Sequence, residues 1–450
     1  MPKNNRSGVW RLAKSKSSDG SGSLLSLVLG QVFILNALFF FFQALTKNLF
    51  PPLLLPLREA FSIDNTQVGL LVTLVYFGYA LARFPSGVLA DLYGCTKTAL
   101  AGSILMALSF IAVALSPTFP VMALMTFILG LSSGIYVTAG YTLAVIIGSR
   151  KRAATATAAF ETFGIIAGLI SPLLVTFFVF HFSWSLLFTV SGLFLGFVTF
   201  LFYRVRRKSI RFESEYATGN GLTIDGSGTT GDKKLPDKKR EFFRQLDIST
   251  AVFRDPRIRR FIIWSTLVGG LGALSWTGIN SFIPTFLVEN RGYAYETANQ
   301  MFIIVSIAGL LAKVVTGWLA DRFGNNPVLF TNLFFSIILF IALSFTANHW
   351  LLLLILALLG AACLNTNTLI NSYVLRSMPP RYQGAGFGFF STAYTVIYSM
   401  GPYLTGFFSD HFGLSTAIRL SSFGAVAAAI LILAADRFVP RRLVETLSNR

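Results

Sequence analysis

Twelve long apolar runs divide this chain, and that pattern leaves few folds open to it. They cover roughly 27–56, 67–90, 97–116, 119–148, 152–180 and 184–203, then 259–288, 295–319, 327–347, 350–376, 383–410 and 415–436. Each is close to the ~20 apolar residues that a helix needs to cross a hydrocarbon layer. In lipid no water satisfies the backbone, so a crossing segment must be a helix or part of a closed barrel. Runs of this length predict helices, and the chain reads as an all-α integral membrane protein with twelve crossings. Only 12% of its residues are charged, against about 25% in a soluble domain. So few charges cannot cover a water-facing surface, which excludes a soluble enzyme, a disordered chain and a secreted disulfide scaffold. Cys95 falls in a short loop and Cys363 in an apolar run. Neither a disulfide framework nor a metal-ligand spacing follows from two such residues, and no metal or cofactor is expected.

The net charge of +18 invites a nucleic-acid reading, but the basic residues form no patch. With the N-terminus in the cytoplasm, they gather in cytoplasmic segments. These are the tail (Lys3, Arg6, Arg11, Lys14, Lys16), Lys97, Arg150 to Arg152, the central linker, Arg322, Arg376, Arg381 and the C-terminal Arg437, Arg441, Arg442 and Arg450. The outer segments hold little beyond Arg58, Arg291 and Arg419. This is the positive-inside bias, with lysine and arginine anchored against anionic lipid. It places both termini in the cytoplasm of a multi-pass plasma-membrane protein, acting as a monomer, with the bilayer rather than nucleic acid as partner. The first run is too long for a signal peptide and reads as a retained helix. The domains expected are a basic tail over 1–26, six helices over 27–203, a basic linker over 204–258, six helices over 259–436 and a tail over 437–450. Asp225 to Asp232 has flexible-linker chemistry, and Phe242 to Val252 fits a short surface helix.

The chain also repeats itself. Leu81 to Gly94 recurs as Leu311 to Gly324 at an offset of 230, and at that offset Gly130 meets Gly360, Pro172 meets Pro402 and His181 meets His411. Two halves of six helices follow. Each carries a Gly-x-Leu-Ala-Asp-x-x-Gly element between its second and third helix. Its glycines (Gly87 and Gly94, Gly317 and Gly324) permit a tight turn and close helix approach. Asp91 and Asp321 can cap the next helix or pair with a basic group across the halves. With Arg322 beside Asp321, these positions are expected to govern gating rather than to touch solute.

That element resembles the signature loop of the major facilitator superfamily, in both copies. Leu92 and Cys95 stand where the pattern carries basic residues. The resemblance spans about 27–436 and implies two bundles around a central cavity, with alternating access by rocking of one half against the other. No ATP-binding loop, nucleophile elbow or metal cluster is present. The expected activity is therefore secondary transport and not enzymatic.

Charges inside the hydrocarbon mark function by default. Lys47 lies within the first run, with Gln43 one turn before it and Asn36 further back on the same polar face. Arg83 and Lys313 each precede the loop aspartate by eight residues, roughly 12 Å of helix at about 1.5 Å per residue. They can snorkel to headgroups or face the cavity. Glu161, deep in the fifth run, shares a face with Gly164, Gly168 and Pro172. Removing a carboxylate from water favours its neutral form, which suits proton carriage. Further polar stripes are Thr73, Tyr76, Tyr79 and Arg83; Asn367 and Asn371; Tyr394 and Tyr398; and Trp276 with Asn280. Together they suggest a wet interior on helices 1, 2, 5, 7, 8, 10 and 11.

Three interior cations against one carboxylate favour a small organic anion, moved by proton symport or exchanged for a counter-anion. Thr46-Lys47-Asn48 resembles a segment of the organophosphate:phosphate antiporter branch, but Thr46 and Trp276 stand where that branch carries arginines. The alternative is proton-coupled efflux of amphipathic compounds, against which Phe127 and its neighbours supply no arginine in the fourth helix. A transporter-like sensor would need a cytoplasmic partner domain, which the polar linker does not resemble.

Overall fold

The structure, a computed structural model, describes residues 21–147, 153–219, 255–378 and 383–434. Most of the basic N-terminal tail, the Arg150 to Arg152 cluster, most of the linker including Phe242 to Val252, Arg381 and the C-terminal tail lie outside them.

The described chain is helical throughout. The N-terminal half holds α1 (Ser21–Asn48), α2 (Phe50–Phe61), α3 (Asn65–Tyr93), α4 (Cys95–Ala114), α5 (Phe119–Ile147), α6 (Ala153–His181) and α7 (Trp184–Gly219). The C-terminal half holds α8 (Pro256–Glu289), α9 (Tyr295–Phe323), α10 (Asn325–Phe345), α11 (His349–Ser377), α12 (Gln383–Ser399), α13 (Gly401–Phe412) and α14 (Leu414–Leu433). Eleven of these helices are long and apolar enough to cross a membrane. The remaining crossing is α12 and α13 together, interrupted at Met400. The first crossing is likewise two helices rather than one, divided at Leu49. Proline explains both. Pro51 and Pro52 open α2, and Pro402 opens α13. Proline fits a first helical turn, but it removes an N–H and crowds the carbonyl four residues back.

The sequence repeat reappears as geometry. A methyl group at Gly130 of α5 would collide with the Val75 carbonyl of α3; at Gly360 of α11 it would collide with the Val305 carbonyl of α9. Val75 and Val305 are themselves 230 residues apart. Backbone contact this close needs glycine. Gly94 and Gly324 share a positive φ of 93° and 88°, a conformation that only glycine adopts cheaply.

The signature elements are less loop-like than expected. α3 runs to Tyr93 and α4 begins at Cys95, so Gly94 alone makes the turn, and Gly324 does the same between α9 and α10. Gly87, Asp91, Gly317, Asp321 and Arg322 are therefore helical residues. Asp321 pairs with Arg376 at 3.2 Å, across α9 and α11 of its own half rather than across the halves. Arg322 lies over the Trp318 ring at 5.3 Å. At the N-terminus of α4 the carboxylate comes from Glu213, which accepts from the Cys95 and Thr96 N–H groups while Ser209 meets the Thr96 hydroxyl at 2.8 Å. Glu213 reaches there because α7 continues to Gly219, well into the stretch read as linker. Its apolar pattern ends near Tyr203, but the arginine, lysine and glutamate that follow are good helix formers.

The halves meet through α3 with α12 and α13, α6 with α9, and α2 with α8, while α4, α7, α10 and α14 pack within their own halves. At the face opposite the signature turns the junction is tight. Asp64 caps its own helix through the Gln67 N–H at 2.7 Å. Asp410 of α13 adds a second carboxylate to the same α3 N-terminus, accepting from the N–H groups of Asn65 at 3.1 Å and Thr66 at 2.7 Å and from the Thr66 hydroxyl at 2.6 Å. Arg58 joins Glu289 in an ion pair. Tyr403 N–H donates to Thr73 at 3.1 Å, and Tyr295 OH to the Pro52 carbonyl at 2.6 Å. Gly69 against Pro402 and Gly406 against Asn65 bring backbones into direct contact.

Two outcomes follow. Gly130→Ala and Gly360→Ala should each cost about 1–3 kcal/mol by overpacking, read as a lower thermal midpoint in detergent. Gly196→Ala, where the space is open, should be neutral. Asp410→Ala removes three hydrogen bonds worth about 1 kcal/mol each. A maleimide should then label a Thr73→Cys reporter, buried in the closed junction, at least about tenfold faster; an unchanged rate would show that Asp410 does not hold this face shut.

Candidate functional site

Tyr76, Tyr79 and Arg83 follow one another at three- and four-residue spacing on α3, so they share a face. Lys47 sits in the last turn of α1. Pro51 and Pro52 have no N–H to offer the carbonyls of Lys47 and Asn48, so these carbonyls lose their helical donors and the C-terminal end of α1, where Lys47 sits, keeps its partial negative charge. The helix break thus favours a cation at mid-membrane depth.

The lysine ammonium lies 3.3 Å from the centre of the Tyr79 ring and 5.9 Å from that of Tyr76. The Arg83 guanidinium lies 5.7 Å from the same Tyr79 ring. From the other half, Tyr398 meets Tyr76 at 5.4 Å and Tyr394 at 5.0 Å, and Phe390 stacks on Tyr394. Tyr394 and Tyr398 are one turn apart on α12 and both lie within electrostatic range of Arg83. Lys47, Tyr76 and Arg83 keep some exposed surface, whereas Tyr79, Tyr394 and Tyr398 are buried behind them. The Gln43 amide nitrogen, one turn from Lys47, is buried without a hydrogen-bond partner.

Among the described residues no carboxylate pairs with Lys47 or Arg83. A cation over a ring gains about 2 kcal/mol when desolvated, while taking an ion out of water costs several. One tyrosine ring shared by two cations leaves the site short of negative charge.

Glu161 and Lys313 form a second group. Glu161 Oε2 lies 2.9 Å from Lys313 Nζ, which joins α6 of one half to α9 of the other. Tyr141 OH donates to the second carboxylate oxygen at 3.3 Å. The pair is partly open, with side chains 34% and 40% exposed. Arg83 and Lys313 are equivalent by repeat but not by surroundings, since one lies among rings and the other against a carboxylate. A methyl group at Gly168, on the Glu161 face, would lie 3.8 Å from the Asn48 amide nitrogen.

The remaining sequence candidates disperse. Trp276 is buried within the C-terminal half, lining a small cavity with Gly272, Ser336, Cys363, Thr366 and Ala425. Asn280, Asn367 and Asn371 are partly buried, and the Asn371 carbonyl oxygen has no partner. Asn36 bonds to the Gly140 carbonyl at 2.9 Å and receives the Tyr136 hydroxyl, a helix-to-helix tie inside one half. Two participants were absent from the sequence candidates for binding. Tyr79 belonged to the α3 stripe yet makes the nearest contact with Lys47. Tyr141, on α5, stands outside every polar stripe read from the sequence and is found only through its contact with Glu161.

A family model described as Major Facilitator Superfamily matches residues 35–312 and 266–448. The chain is similar to the niacin transporter NiaP of Acinetobacter baylyi, 24% identical over 64% of this chain and 66% of that protein. It is also similar to the probable sulfoacetate transporter SauU of Cupriavidus necator, 24% identical over 79% and 82%. The multidrug resistance protein MdtG of Salmonella choleraesuis is 25% identical over 66% and 67%. Among solved structures, a bacterial homologue of the human lysosomal transporter Spinster, inward-facing and occupied, superposes with a TM-score of 0.67. It has 16% identity over 90% of this chain and 96% of that one. The nucleoside transporter NupG gives a TM-score of 0.68 with 15% identity over 90% and 98%. With a duplicated all-helical fold and a family match over nearly its whole length, this chain belongs to the major facilitator superfamily and is a multi-pass transporter, not an enzyme.

Proposed function

We propose that this protein is a secondary transporter of a small organic anion, working by proton symport or by exchange in the cell membrane with both termini in the cytoplasm. The observation that carries this reading is the Lys47–Arg83 pair, held on one tyrosine ring with no carboxylate opposite it among the described residues. An anion entering between the halves supplies the missing charge, and the Gln43 amide offers it a further donor. Niacin and sulfoacetate, for which two of the similar transporters are named, are anions at neutral pH, which supports the same class here.

The cations belong to α1 and α3 and the facing tyrosines to α12, so a bound anion touches both halves. Lys47 leaves the Tyr79 ring to meet it. On the signature side of this site the Glu161–Lys313 bridge ties the halves a second time. A proton on Glu161 cancels its charge and releases Lys313, which allows the halves to separate there. The positive-inside distribution makes the signature face cytoplasmic, and the closed face is then the outer one. Efflux of amphipathic compounds is the second reading. The aromatic lining and the similarity to a multidrug resistance protein favour it.

Reconstituted vesicles separate the two. Uptake of a panel of carboxylates, sulfonates and phosphates should exceed that of neutral sugars or lipophilic cations. Lys47→Ala should raise KM for the preferred anion by about 10–100-fold, the size of a lost charge-assisted hydrogen bond. Uptake of a neutral solute that Lys47→Ala leaves intact would reject the anion reading. Glu161→Gln should keep anion exchange but abolish accumulation driven by a pH gradient. Full pH-driven accumulation in that variant would remove Glu161 from the proton path.

A further inference from the structure

The two cations account for the charged end of a substrate only; the rest of it must lie against whatever surrounds them. We infer that this transporter selects a planar aromatic carboxylate, its ring packed against the tyrosine cluster that α3 and α12 build beside the two cations. This deepens the anion reading above and depends on it.

Beyond Lys47, Arg83 and the Gln43 amide, the side chains grouped at the site are rings. Tyr76 and Tyr79 come from one half and Tyr394 and Tyr398 from the other. Tyr76 and Tyr398 meet across the interface at 5.4 Å with planes 76° apart, and Tyr394 meets Tyr398 at 5.0 Å and 62°. This is edge-to-face packing, in which the positive edge of one ring faces the negative face of another. It presents faces and edges at right angles, and a third ring can enter on either. Phe390 lies parallel to Tyr394 at 5.4 Å and is fully buried, so the α12 wall is backed and firm.

Substrate entry itself uncovers a ring. At present the Lys47 ammonium occupies the Tyr79 face at 3.3 Å. An anionic head that draws the ammonium away leaves that negative face without its cation. The edge hydrogens of an aromatic substrate carry partial positive charge and restore the contact, which a saturated ring does more weakly. A sugar fits poorly for a different reason. Its many hydroxyls would each need a buried partner, whereas the head of a carboxylate is met by the two cations and the Gln43 amide nitrogen.

The test uses two probes of equal charge and ring size, benzoate and cyclohexanecarboxylate, titrated calorimetrically into the purified full-length transporter in nanodiscs. Benzoate should bind at least about fivefold more tightly, from ring contacts beyond area burial. Tyr76→Leu and Tyr398→Leu should each bring that ratio toward one while leaving cyclohexanecarboxylate affinity within about threefold. Tyr76→Phe and Tyr398→Phe should preserve the ratio, because the ring and not the hydroxyl carries it. Equal binding of the two probes by the unmodified protein, a measurement that needs no variant to fold, overturns the aromatic inference while the anion reading stands. Binding of neither probe overturns the aromatic-carboxylate inference, and the anion reading is then decided by the uptake panel of sulfonates and phosphates. A benzoate preference that survives both leucine variants also overturns it, since selection would then lie elsewhere.

Discussion

A lysine ammonium held at mid-membrane depth must be solvated by the protein, and the local architecture around Lys47 follows from that requirement. Two prolines interrupt the first crossing just beyond it, so that Lys47 lies in the last turn of α1, at the end of a helix that favours a cation. A tyrosine ring from α3 covers the ammonium at 3.3 Å, and the Gln43 amide lies one turn away. None of these is a full counter-ion. The arrangement holds the cation in place without neutralising it, and Arg83 on the same ring adds a second charge in the same condition. Were a carboxylate present, the site would be satisfied without a substrate. On the proposed reading, its charge deficit is what an incoming anion relieves.

The two ends of the interface between the halves differ in how they are joined, and the difference bears on which end opens. Opposite the signature turns, the contacts reach down to backbone level, with Gly69 and Gly406 against carbonyls of the other half and Asp410 bonded to two N–H groups of α3. Such contacts are short and numerous, and they form or break together. On the signature side the Glu161–Lys313 pair joins side chains that are each about one third or more exposed. Exposed ion pairs contribute little to stability, and one proton suffices to cancel this one. The junction near the signature turns is therefore the weaker of the two in this conformation.

Much of this was legible in the sequence because the membrane imposes simple rules. Apolar run length revealed the crossings, an ungapped offset revealed the duplication, and Lys47 and Arg83 drew attention as charges where charges are costly. What escaped depended on contacts between distant segments. Nothing in the local sequence links Glu161 with Lys313, 152 residues apart, or sends Asp410 to the N-terminus of α3. Glu213 was assigned to a linker because apolar periodicity ends before it, whereas helix propensity does not. Both interrupted crossings were read as single helices, since a hydrophobic run records burial in lipid and not continuity of hydrogen bonds.

The repeat explains the scaffold, and departures from it account for the site. Paired glycines at 130 and 360 build the same crossing twice, and paired glycines at 94 and 324 make the same turn twice. Yet Arg83 lies among tyrosines while Lys313, its equivalent, is bonded to Glu161. Pro172 sits inside an unbroken α6, while its equivalent Pro402 begins a new helix. A strictly symmetric pair of halves would place like charges opposite like charges and give neither an anion nor a proton a distinct place to act. On the proposed reading, divergence at these few positions separates the two tasks: a cation pair with no counter-ion among the described residues on one side, and the Glu161–Lys313 bridge between the halves on the other.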